Sequence, residues 1–137
     1  MISLPDVADG VVAVGWATVD LDRAARELAH LLPDGARFGD AAPSVILGAR
    51  CRSARAADAG PWIALLEPDT EGRLAGTLAR SGEGWAATWM LADATAPWGS
   101  RAMSVARPGP FGAERLVVGG PLPAHHRLVV EAVPSPP

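Results

Sequence analysis

Residues Val11 to Val19 read VVAVGWATV, β-branched and apolar side chains with small residues between them, the pattern of a strand buried on both faces. Such a strand needs a covering layer on each side, and the chain that follows supplies one. Asp20 can cap a helix in which Leu21, Ala24, Leu28 and Leu31 or Leu32 recur at helical spacing until Pro33-Asp34-Gly35 stops the run. That spacing predicts an amphipathic helix of about twelve residues. A short Ala36-Arg37-Phe38 stretch, a strand from Ser44 to Arg52, an Ala- and Asp-rich loop ending at Gly60-Pro61 and a strand from Trp62 to Glu67 complete a β-α-β-β-β unit.

A second helix, opened by Pro68-Asp69-Thr70 and carrying Leu74 and Leu78 on one face, ends near Gly82 and reads as a connector. The strand Trp85 to Leu91 then starts a second series. Ala92 to Ser100 contains Pro97 and Gly99 and is too short for a full helix. Strands return at Ala102–Arg107, Glu114–Val118 and Arg127–Val133 between Pro/Gly turns, and the tail Pro134–Pro137 should fray. The expected fold class is α+β: paired βαβββ modules forming an open β-barrel, the second with a shortened helix. A length of 137 residues suits one domain, with module one at about 10–68, the connector at 69–82 and module two at 84–134.

Composition removes several functions. The twelve basic residues are all Arg, scattered along a chain of net charge −3, so no stripe exists to neutralise phosphates and no nucleic-acid partner is expected. No apolar run approaches a membrane span and no basic-then-apolar leader opens the chain, which reads as cytoplasmic and without a membrane partner. Cys51 is the only cysteine, so no intrachain disulfide can form, and a lone cysteine of this kind reads as an inert core residue. Lys, Asn, Gln and Tyr are absent, which leaves polar chemistry to Asp, Glu, Arg, His, Ser, Thr and Cys. No Gly-rich phosphate loop, Cys-x-x-Cys pair or His-x-x-x-His helix is present, and no Ser-His-Asp arrangement can be made out.

Two phrases carry a family likeness. Trp16-Ala-Thr-Val-Asp-Leu-Asp-Arg-Ala-Ala25 resembles the strand-to-helix entry of vicinal-oxygen-chelate (glyoxalase/bleomycin-resistance) proteins. Trp62-Ile-Ala-Leu-Leu-Glu-Pro68, a helix, and then Gly82-Glu-Gly-Trp-Ala-Ala87 are similar, in order and spacing, to the middle of methylmalonyl-CoA epimerase-like members. The likeness covers residues 11 to 92, and the closing Glu131-Ala-Val-Pro134 resembles the family's last strand. The resemblance implies one metal ligand on each of four strands. Counted from Asp20, the Leu-Leu-Glu-Pro phrase and the Gly-Glu-Gly phrase, the first three positions hold Ala13, Ala64 and Ala87, and only Glu131 keeps a possible ligand. One carboxylate among three alanines cannot repay the dehydration of a divalent ion, so no metal and no other cofactor is expected.

Strand alternation then directs Gly15, Ala17, Trp62, Leu66, Trp85, Trp89 and Val129 inward with the lost ligand positions. Indoles beside alanines suit an apolar or aromatic guest held by stacking and area burial, with Ala13, Trp62, Ala64, Trp85, Ala87 and Trp89 as contacts. Glu131 is the candidate catalytic residue, a desolvated acid or base if it points inward and a solvated edge glutamate if it does not. Two functions stay open: a metal-independent binder of an apolar small molecule in specialised (natural-product) metabolism or self-resistance, and a metal-free isomerase, cyclase or lyase. A filled barrel with its function on the surface is the third. The resemblance further implies a homodimer. Adjacent His125 and His126 point to opposite strand faces and cannot chelate together, His30 suits a helix C-terminus, and Arg50, Arg52, Arg55 and Asp58 read as solvated surface.

Overall fold

The computed structural model describes residues 1–92, 102–118 and 125–132. Strand β1 (Val11–Ala17) leads into helix α1 (Leu21–Glu27), which continues as a 3-10 turn at Ala29–Leu31. Then come β2 (Ala42–Ser44), β3 (Ala49–Arg55), β4 (Trp62–Pro68), helix α2 (Arg73–Ser81), β5 (Gly84–Leu91), β6 (Arg107–Gly109), β7 (Gly112–Leu116) and β8 (His126–Val130). All eight strands form one sheet in the order β2-β3-β4-β1-β5-β8-β7-β6. Each half repeats one plan: its first strand lies parallel to its last, and the intervening strands pair antiparallel outward from there. The halves meet where β1 runs antiparallel to β5.

The sheet curls until its two edges meet. Val45 N–H donates to the Pro108 carbonyl at 3.2 Å, and the Ser44 hydroxyl donates to Glu114 Oε2 at 2.7 Å. This nearly closed barrel is the α+β architecture expected from the sequence, and closure covers edges that would otherwise template pairing with another chain.

Curling gives the sheet two unlike faces. The inner cluster draws Ala13, Ala17, Cys51, Ala64, Leu66, Ala87, Trp89, Leu116, Leu128 and Val130 from strands of both halves. Leu74 and Leu78 of α2 pack against it. The outer cluster belongs to module one, where Leu21, Ala24 and Leu28 of α1 cover Val14, Ile63 and Leu65. Asp20 caps α1 by accepting from Arg23 N–H at 3.1 Å, as its side chain suggests. The helical run is shorter than its spacing promises, because Leu28 has left helical geometry and the chain tightens into the 3-10 turn ahead of Pro33.

Two strand assignments change. Ala36–Phe38 is not a strand, although Phe38 is buried in the outer cluster. The expected strand from Ser44 to Arg52 is a hairpin: Gly48, at φ +67°, donates to the Ser44 carbonyl and closes a turn that drives Leu47 into the core. Val45-Ile46-Leu47 is as apolar as a strand, and the positive φ that only glycine takes without strain decides for the turn. The expected strand at Ala102–Arg107 is likewise replaced by β6, which begins where it should have ended. The stunted helix at 92–100 and the fraying tail at 134–137 lie outside the described residues, apart from Ala92. Among the described residues no helix is long and apolar enough to cross a membrane.

Candidate functional site

Ala13, Ala64 and Ala87 come together inside the barrel, each at most 1% exposed. The pairing register puts Gly15 of β1 between Ala64 and Ala87, the middle of the region where the resemblance implies a metal. That space is occupied. A methyl added to Gly15 would sit 2.8 Å from Leu66 Cδ1, 2.9 Å from Trp89 Cζ3 and 3.1 Å from Ala87 Cβ. Methyl groups offer no lone pairs, and no three His, Cys, Asp or Glu side chains gather among the described residues. The residues present do not fit the metal that the fold family implies.

Trp89 fills the barrel. It is fully buried, meets Phe111 edge-to-face at 5.2 Å, and its indole N–H donates to Glu114 Oε1 at 2.9 Å. Trp62 is half-buried at the rim of the same cluster and meets Phe111 at 6.0 Å. Its indole N–H has no hydrogen-bond partner among the described residues.

Two side chains expected to point inward do not. Trp85 lies on the outer face, edge-to-face with Trp16 at 5.1 Å, and donates its indole N–H to the Ser3 carbonyl at 3.0 Å. The cause is a bulge in β5: Gly15 pairs with Ala87 but Trp16 pairs with Trp85, so Ala86 is an extra residue and alternation reverses across it. In β8 it is His126, Leu128 and Val130 whose parity faces the interior, which sends Val129 to the other face. Glu131 follows the end of β8 and is exposed. The desolvated carboxylate that acid–base work would require is therefore not at that position.

A different glutamate occupies the interior. Glu114 of β7 is fully buried, accepts from Ser44 and Trp89, and packs so closely on Gly109 that a methyl there would lie 1.9 Å from Oε1. Burial pushes its pKa up, against the pull of the two hydrogen bonds. Cys51, buried in the same cluster, has its thiol pKa raised by burial first and then by the charge of Glu114, and is not a reactive thiolate. Nothing in Gly112-Ala113-Glu114-Arg115-Leu116 marks Glu114 as buried, because its partners Ser44 and Trp89 lie 70 and 25 residues away.

The two histidines separate to opposite faces as strand geometry requires. His126 is buried and hydrogen-bonded through Nε2 to Thr77 Oγ1 of α2 at 2.7 Å. Burial, aided by Arg73, lowers its pKa to about 4. His125 faces the other side, with Nε2 2.7 Å from Thr88 Oγ1, and burial followed by the Arg127 charge lowers its pKa too. His30 sits in the 3-10 turn and donates to the Ile2 carbonyl at 2.5 Å. Arg50 pairs with Glu67, and Arg52 reaches Asp22 and the Phe38 and Gly39 carbonyls.

A cleft of about 420 Å³ opens on the outer face of the sheet where β1 meets β5 and β8. Its floor is Val11 and Val14 of β1 with Trp85 and Met90 of β5, and the N-terminal segment Pro5 to Ala8 forms a wall. Thr88, His125 and Arg127 supply polar groups along the β8 side. Two of the six expected contact residues, Trp85 and Ala87, line this cleft; Ala13, Ala64, Trp62 and Trp89 do not. Its size and mostly apolar lining with a few polar groups fall within the range of small-molecule sites.

The paired modules, their parallel first-to-last strands and the single curled sheet define the vicinal-oxygen-chelate fold. Among solved structures, the chain is similar to methylmalonyl-CoA epimerase from Mycobacterium tuberculosis, at TM-score 0.70 and 21% identity over 98% of this chain and 94% of that one. A variant of the Streptomyces coelicolor methylmalonyl-CoA epimerase, in complex with 2-nitronate-propionyl-CoA, is similar at TM-score 0.66 and 20% identity, over 89% and 96% of the two chains. A hypothetical protein from Bacillus halodurans C-125 matches at TM-score 0.61 and 15% identity, over 89% and 93%. No family model and no curated protein matches the sequence.

Proposed function

We propose that this protein is a metal-independent binder of an apolar or aromatic small molecule, and that the guest sits in the outer cleft against Trp85. The observation that carries the reading is the contrast between the two faces. The barrel interior, where the fold family would hold its metal, is filled by Trp89 and closed around Gly15. The outer face has an apolar cleft with an indole in its floor and few polar groups. The neutral dye N-phenyl-1-naphthylamine, whose fluorescence rises in apolar surroundings, tests this directly.

Trp85→Ala is expected to weaken dye binding about tenfold, since an aromatic contact contributes ~0.5–1.5 kcal/mol beyond the area it buries. Trp62→Phe, at the barrel rim, should leave the affinity unchanged. Near-ultraviolet circular dichroism establishes that both variants are folded. The opposite pattern, with Trp62→Phe weakening binding and Trp85→Ala silent, would return the site to the barrel.

A further inference from the structure

The cleft is not uniform across its width. Strand pairing places Val14 of β1 beside Thr88 of β5, and Thr88 beside Arg127 of β8, so the lining passes from aliphatic to hydroxyl to guanidinium along one row. Trp85, Val11 and Met90 extend the apolar part. His125 stands at the polar side with Nε2 engaged by the Thr88 hydroxyl. Asp6, on the N-terminal segment, is the acidic side chain among the lining residues.

Resting on the cleft reading above, the geometry points to a ligand with an anionic head, an aromatic or aliphatic carboxylate whose body lies over Val14 and Trp85 and whose carboxylate meets Arg127. Three features support it. The row of pairs runs perpendicular to the strands, so a guest lying across the sheet meets apolar and basic groups at opposite ends. A guanidinium pairs well with a planar carboxylate, and such charge-assisted bonds are about twice as strong as neutral ones. The charge of Arg127 depresses His125 further once burial has lowered it, so the imidazole is neutral near pH 7 and the guanidinium carries the positive charge on that side.

The test displaces bound N-phenyl-1-naphthylamine with two ligands of matched size, 1-naphthoate and 1-naphthylmethanol. Wild-type protein is expected to bind the carboxylate about tenfold more tightly than the alcohol. Arg127→Met should abolish that preference, read as the ratio of the two affinities within the same variant, and Arg127→Lys should retain part of it. Equal affinity of the two ligands for wild type, or an undiminished preference in Arg127→Met, overturns the anionic head and leaves the cleft itself standing. Absence of dye binding to wild type overturns the cleft reading together with this one.

Discussion

Replacing Trp89 by alanine is expected to lower folding stability by ~3–5 kcal/mol, the usual cost of removing a large aromatic side chain from a packed interior. The expectation follows from what Trp89 touches. It is fully buried, approaches Gly15 so closely that no methyl fits between them, and meets Phe111 edge-to-face. Its loss also removes one of the two side-chain donors to the buried Glu114. Trp89→Phe keeps most of the ring contact but not the N–H, and its cost should be smaller, ~1–3 kcal/mol, the penalty of a buried acceptor short of a partner. Urea unfolding at pH 7 measures both. A loss below about 1 kcal/mol in Trp89→Ala would mean that the indole borders open space and that the barrel is not filled.

The second large effect is in acid. His126 has an ordinary value of 6.5 and a folded value of about 4, lowered by burial and by Arg73, His125 and Arg80 around it. A depressed histidine stays neutral in the folded state while the unfolded chain takes up a proton. Above pH 6.5 it contributes no pH dependence. As pH falls from 6.5 towards 4 the unfolded state gains the proton alone, and the folded state loses about 3 kcal/mol of stability, the loss being complete below 4. Glu114 acts in the opposite sense: its raised value favours the folded state when protonated, and that contribution is lost as pH rises through it. The two overlap, so His126 is read by difference. Across pH 7.5 to 5, His126→Gln, which can still bond Thr77 and does not titrate, should lose about 2 kcal/mol less stability than wild type. Equal pH dependence in the two proteins would show that His126 is charged or solvated in the folded state.

What the sequence made legible was set by the range over which each pattern acts. Asp20 and the leucines after it give the entry to α1, and Trp62-Ile-Ala-Leu-Leu-Glu-Pro68 gives β4, because capping and alternation are decided within a few residues. The same phrases pick out Ala13, Ala64 and Ala87, which lie together in the inner cluster. Alternation fails wherever one residue is inserted or the register moves by one. Ala86 did this to Trp85, and the phase of β8 did it to Val129. Glu114 was beyond reach for a different reason: a glutamate in a strand reads as solvated until Ser44 and Trp89 are known to close over it. The cleft depends on the N-terminal segment, whose Ser3 carbonyl holds the Trp85 indole and whose sequence carries no periodic signal.

The proposed binding site lies on the outer face at Trp85 and not in the barrel at Trp89. Each indole N–H gives its own peak in a proton–nitrogen correlation spectrum of ¹⁵N-labelled protein, so titration with N-phenyl-1-naphthylamine reports on both faces in one experiment. Saturable movement of the Trp85 peak, with the Trp89 and Trp62 peaks stationary, is the result predicted. Movement of Trp89 and Trp62 with Trp85 unchanged would contradict it and place the binding site inside the barrel.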